Sequence, residues 1–448
     1  MNYVALLFMN RFPITSPRAL KWTRLLSQFL TGQVVIQALN FLTGFLLLRW
    51  LSVTAYAQFS VAFAFQSTLG MLIDLGFSNS IVALVGDRGS DAEVVGRYIR
   101  SARHFRNRMY GVMVIVSMAA FPLITRSQPW PFSTKVLLFA AILASLFFQG
   151  WGMYAAPLLI NGRIKEYYQA QVFAAAGRLC CCFVLFETAT LSAWTSAWVG
   201  AAALATTGLV YRKKSVRLIS EPHQSDPIFN KEMIGYLAPL IPGVVFTAFQ
   251  GQISLALITI FGHTKSIAEV AALGRLGQLF AVLAAVNSVL IEPNIARLSP
   301  IAFKKRYVQV IFVAVLMAIG ISTIGFLFPR PLLWLLGKNY SQLQREVGWV
   351  VLSSCISYVS GVLWTMHSAR KWIWWWGTIA YISLLVVSQT IGIAVLDLSS
   401  TMNVVYFGVL VSCTVLVVHL LNAVYGFHYM KKSDGAPPEP VATQVQPI

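Results

Sequence analysis

The sequence predicts an all-α polytopic membrane protein with about twelve transmembrane helices, and three observations lead there. The chain of 448 residues is 57% hydrophobic and only 11% charged, with a mean hydropathy of +0.69, too little charge to clothe a soluble body of that length. Apolar runs of about 20 residues, each able to cross roughly 30 Å of hydrocarbon as a helix, recur along nearly the whole length. Lysine and arginine gather on alternate connections between those runs.

The predicted spans cover 26–49, 56–83, 109–125, 136–159, 167–187, 192–211, 234–261, 267–291, 307–328, 346–366, 373–395 and 403–427. With the amino terminus inside, the inner connections hold 25 of the 34 lysines and arginines. The outer ones and their borders hold seven: Arg49, Arg126, Lys135, Lys265, Arg330, Lys338 and Arg345. Arg178 and Arg275 fall inside spans. This bias places both ends in the cytoplasm. The net charge of +19 therefore reads as loops facing anionic lipid headgroups, not as a nucleic-acid surface.

Residues 1–24 form a cytoplasmic leader whose apolar core is too short for a signal peptide. Six spans follow in 25–216, a linker in 217–232, six more in 233–430, and a proline-rich tail, expected to be disordered, in 431–448. Six is even, so both halves begin inside and run the same way, as parallel repeats do. The first two spans can be laid on the seventh and eighth at an offset of 211, each pair joined by a polar turn of six to eight residues.

Chemistry classes narrow quickly. Cys180, Cys181, Cys182, Cys355 and Cys413 all lie in spans and read as packing residues. No His/Cys/Asp spacing suits a metal, and no Gly-rich phosphate loop suits ATP, so no cofactor is expected. The longest outer loop, near PRPLLWLLGKNYSQLQRE, has about 17 residues. It leaves little room for an outer catalytic domain, and no paired carboxylates suggest an enzyme.

The stretch LRWLSVTAYAQFSVAFAFQSTLGMLIDLGFSNSIVALVG resembles the opening hairpin of the polysaccharide-transporter (Wzx-like) flippases, with an aromatic outer turn and an Asp-Leu-Gly break. IAEVAALGRLGQLFAVLAAVNSVLIEPNIARL resembles their eighth span, and LFPRPLLWLLGKNY their outer loop after span nine. The chain departs from them at Ser52, where glycine is usual, and in the WIWWWG run. The wider superfamily includes the MATE antiporters and the MurJ flippase. The resemblance implies two six-helix lobes around a central cavity opening alternately to each side of a bacterial cytoplasmic (inner) membrane. It also implies a cargo of lipid-linked oligosaccharide on undecaprenyl pyrophosphate. Other polysaccharide-assembly proteins, such as a polymerase and a chain-length regulator, would be partners.

Candidate residues follow. Arg178, near the middle of span five, and Arg275, eight residues into span eight, could face a water-filled cavity and meet pyrophosphate. They could equally bond to backbone carbonyls or snorkel. Gln33, Gln37 and Asn40 lie on one helical face, and Gln250 and Gln252 on the repeat mate; amides suit sugar hydroxyls, or interhelical hydrogen bonds. Asp74 reads as a coupling site or as a cap bonding freed amides at a helix break. Arg49 closes span one as a gate or an interfacial anchor. Pro239 and Pro242 would break span seven, as a gate or a passive kink. His419 reads as a lone packed histidine or, against that, a proton carrier, and the WIWWWG run as an interfacial belt.

Overall fold

A computed structural model of the chain describes residues 17–85, 88–89, 91–238, 241–286, 291, 295, 300–370, 372 and 374–433. Seventeen α-helices and no strand occur among the described residues. Among the described residues eight helices are long and apolar enough to cross a membrane, nine if a bent pair counts as one span. The other three predicted spans are present as helices, each richer in small and polar residues.

The chain divides into two compact units, residues 1–260 and 261–448. In the first, α1 (Pro17–Trp50), α2 (Val53–Asp74) and α3 (Phe77–Val85) are followed by the long α4 (Ala92–Ile124). Then come α5 (Phe132–Gln149), a 3₁₀ turn (Gly150–Tyr154) and α6 (Ala155–Ile160). Next are α7 (Ile164–Glu187), α8 (Ala193–Ser215), α9 (Pro227–Leu237), α10 (Ile241–Gln250) and α11 (Ile253–Phe261). Helix α2 packs on α4, α5, α8 and α10, and α7 on α1 and α8.

Local chemistry sets these boundaries. Ser52 N-caps α2 by accepting from the Ala55 amide at 3.2 Å, which is what serine supplies where the flippases carry glycine. Helix α2 stops where Leu75 (φ 42°) and Gly76 (φ 88°) turn left-handed. Asp91 caps α4 through the amides of Glu93 and Val94. Along the second half of α4, residues such as Ile115 and Leu123 lie 71% and 70% exposed, a face made for lipid rather than water.

The second unit holds α12 (Thr264–Val286), α13 (Pro300–Leu327), α14 (Pro329–Leu336), α15 (Gln344–Ala369), α16 (Trp375–Val395) and α17 (Thr401–Ser433). Helix α15 packs on α12, α13, α14 and α17, and α16 on α17. Its core gathers Phe303, Tyr307, Leu363, Met366 and Trp372.

The internal repeat is visible in the helix ends. Trp50 and Val53 bound the first turn, Phe261 and Thr264 the second, and both pairs match at the offset of 211. Each turn is two residues, shorter than the six to eight expected, because the flanking residues are already helical.

Three segments are engaged by their surroundings. The WIWWWG run, expected as an interfacial belt, turns inward at its first residue. Trp372 is buried against Phe303 and Phe427, and Trp374 and Trp376 both pack on Tyr425. Arg106, counted with the inner loop, is only 5% exposed inside α4. Its Nη2 donates to the Leu146 carbonyl at 2.8 Å, and a Cβ at position 150 would fall within its guanidinium. The linker is held to α4: the Ser220 amide donates to the Ala92 carbonyl at 3.0 Å. Glu221 accepts from Tyr154 at 2.9 Å and Arg103 at 3.3 Å. Asp226 lies 3.5 Å from Arg97, and Glu232 accepts from Tyr98 at 2.7 Å.

Candidate functional site

Arg178 lies on α7, half-buried, beside a cavity of about 120 Å³ within the first unit. Phe59, Phe63 and Gln66 come from α2, Ile142 from α5, and Ser196, Gly200 and Leu204 from α8. The polar lining is therefore one cation, one amide and one hydroxyl, from three helices. No carboxylate lines it. Ser196 is fully buried and donates its proton to the Ser192 carbonyl at 2.7 Å, which leaves its oxygen as an acceptor. Gln66 and the guanidinium are the groups that can donate into the niche.

The niche is small. Pockets for drug-sized molecules run to roughly 300–1,000 Å³, and a water molecule takes about 30 Å³ of liquid. Water or a phosphate-sized anion fits it, and a sugar chain does not.

The amide stripe of α1 stands below this level. Gly32 abuts Tyr168 and Trp50 stacks on Phe186, ring centroids 4.8 Å apart. Helices α1 and α7 therefore run parallel, and Arg178 stands level with residues 42–45. Asn40, exposed, lies about one turn lower; Gln37 and Gln33, both half-buried, lie further down. None of the three lines the niche. Gln250 ends α10 and Gln252 sits between α10 and α11, both half-buried. Arg49 is exposed in the last turn of α1.

Asp74 ends α2 at the predicted break. Its carboxylate accepts from the Ser78 hydroxyl at 2.5 Å and acts electrostatically on buried Arg106. The acid is thus engaged by a hydroxyl and by the field of a cation. Helices α9 and α10 meet at 59°. Pro242 is the second residue of α10, and Pro239 lies outside the described residues.

Arg275 belongs to the second unit, half-buried on α12, with Nη1 3.4 Å from the Gln278 side chain one turn on. At the start of the same helix is an acid that the sequence reading passed over. Glu269 is 8% exposed and accepts from Thr401 at 2.6 Å and Gln342 at 3.0 Å. It ties α12 to α17 and to the loop before α15. Gln66 was also missed: a single glutamine in an apolar helix carries no pattern. All five cysteines are free thiols, and no group of three or more metal-binding side chains occurs among the described residues.

No family model matches the sequence, and no curated protein matches it. Solved structures do share its fold. An inward-facing multidrug resistance MATE transporter of the MOP superfamily aligns with TM-score 0.65 and 13% identity, over 89% of this chain and 96% of that one. The lipid II flippase MurJ in an inward closed conformation aligns at 0.59 and 12%, over 90% of each chain. A MOP superfamily transporter from Pyrococcus furiosus, described as having a binding pocket of reversed polarity, aligns at 0.55 and 12%, over 92% and 96%. This chain is thus a multi-pass helical membrane protein with the fold that MATE transporters and MurJ share.

Proposed function

We propose that this protein is a flippase. It moves a lipid-linked oligosaccharide of the undecaprenyl-pyrophosphate type across the bacterial cytoplasmic membrane by alternating access, for surface-polysaccharide synthesis. The observation that carries this reading is the Arg178 niche, cationic, free of carboxylates in its lining and sized for phosphate. A guanidinium matches phosphate oxygens in a bidentate way, and the glycan stays outside the niche. Arg275 is the second phosphate-seeking cation, and the amides of Gln33, Gln37, Asn40, Gln250 and Gln252 meet sugar hydroxyls. Arg49, Asp74, Pro239 and Pro242 serve gating. An inside-negative potential favours outward passage of the anion, by about 2.3 kcal/mol per charge per 100 mV. A MATE-like exporter of small cations, the other reading the fold admits, calls for an acid facing the cargo. Asp74 and Glu269, two acids set within apolar helices, are already bonded to neighbours.

The test is a flipping assay in proteoliposomes with a fluorescent lipid-linked pyrophosphate oligosaccharide. Arg178→Ala should slow movement at least tenfold, since a charge-assisted hydrogen bond contributes about 1.5–3 kcal/mol. Arg178→Lys should recover part of the rate. Normal movement by the Arg178→Ala/Arg275→Ala protein, at equal reconstituted amount, rejects the proposal.

A further inference from the structure

His419 is not alone. It lies in the second half of α17, 8% exposed, and His367, near the end of α15, is fully buried; their ring centroids are 6.0 Å apart. Tyr307, from the second turn of α13, sets its hydroxyl 3.1 Å from His367 Nε2, with the two rings within 13° of parallel. Trp372 lies 5.8 Å from the His367 ring. Trp364 and Tyr381 lie 5.9 Å and 6.4 Å from that of His419.

The polar accounting does not close. A neutral imidazole has one N–H donor and one bare acceptor. Tyr307 serves Nε2 of His367 whichever tautomer is present, and Nδ1 of both rings is buried without a hydrogen-bond partner among the described residues. Buried polar atoms are nearly always satisfied, so two such nitrogens in one cluster mark a place where something binds or leaves.

The surroundings decide what that is. No third histidine, cysteine or carboxylate joins the pair to make a metal site among the described residues. The titratable groups facing it are Tyr307 from α13 and Tyr381 from α16. Arg370, one turn past His367, has its guanidinium 4.3 Å from the Phe303 ring centre. His419 acts electrostatically on His367, and no carboxylate is among the groups acting on either ring among the described residues. Aromatic faces hold cations at about 6 Å from the ring centre, so this cage can accommodate one imidazolium. Two, with no anion between them, would repel.

We propose that His367, His419 and Tyr307 form a buried proton-binding site that carries one shared proton inside an aromatic cage. The proton is the ligand, and its presence links the packing of α13, α15, α16 and α17. The two rings titrate as a pair, with apparent constants that belong to both. The site stands whether or not the cargo is a lipid-linked glycan.

Nitrogen-15 NMR of the full-length protein, histidine-labelled in micelles and titrated between about pH 5 and 8, tests this without any cargo. The His367 and His419 signals should share a first proton and take a second only at a concentration at least about tenfold higher. In His419→Gln the His367 curve should collapse to one step, displaced about tenfold or more from its first step in the wild type. Tyr307→Phe should keep the coupling while changing the share of proton on His367. Independent single steps in the wild type, no titration of either ring, or a His367 curve unmoved in His419→Gln overturns the proposal. Should a variant not fold, the wild-type curves decide alone.

Discussion

Gly96→Ala tests how the linker is held. Residue 96 lies one turn into α4, and a Cβ there would collide with the Ser220 carbonyl, well inside 3 Å. The obstacle is backbone, so no rotamer relieves it, and Ser220 is itself tied to Ala92 by a 3.0 Å hydrogen bond. Overpacking of this kind costs about 1–3 kcal/mol, and the Ser220–Ala92 bond contributes roughly 1 kcal/mol. The clash and the bond are relieved by the same movement, so about 2 kcal/mol is the expected sum, a near thirtyfold shift in the local opening equilibrium. Hydrogen exchange followed by mass spectrometry should show the Ser220 amide and its neighbours through Asp226 exchanging faster by about that factor. The global melting temperature should fall only slightly. Glu221→Gln should do less, because Arg100 and Arg103 are about one-third exposed and such pairs are weak in water. Unchanged exchange at 218–226 in Gly96→Ala would refute the packing described for this segment.

Other outcomes can be stated briefly. Ser52→Ala should destabilise the start of α2 by about 1 kcal/mol, and Ser52→Gly by only a few tenths, read as melting temperatures in detergent. Gly426→Ala should cost about 1–3 kcal/mol, since its Cβ would press into the buried Trp372 ring, while Gly361→Ala on α15, which meets open space, should not. The hydroxyl and amide of Ser399 hold the Asp397 carboxyl below the usual carboxylate range. Their stabilising effect is present above the ordinary aspartate pKa and is lost as pH falls through the lowered one. Ser399→Ala should bring Asp397 back toward its ordinary titration, followed by carboxyl carbon-13 NMR.

The helices were legible because a chain in lipid must satisfy its backbone internally, which forces long apolar runs into view. The 211-residue repeat was legible for the same reason. Arg178 stood out as a charge among alanines and cysteines, yet its companion Gln66 did not, since the two line one niche only when α2 and α7 both pack on α8. Arg106 was misread because arginine near the end of an apolar run ordinarily marks a loop. Only the approach of α5 to α4 shows it buried. His367 and His419 are far apart in sequence, and each alone is an ordinary histidine. Trp372 was hidden in another way: a dense aromatic run suggests an interface, and the small side of α17 at Gly426 draws this one ring inward.

The meeting of Arg106 with Gly150 also constrains how this lineage can change. A side chain at 150 is admissible only if residue 106 has first become shorter, and a shorter residue 106 forfeits the donor to Leu146. Either substitution alone crosses a less fit intermediate, whereas Arg106→Met together with Gly150→Ala fills the same volume with apolar atoms. Descendants of this chain should therefore keep both residues or replace both.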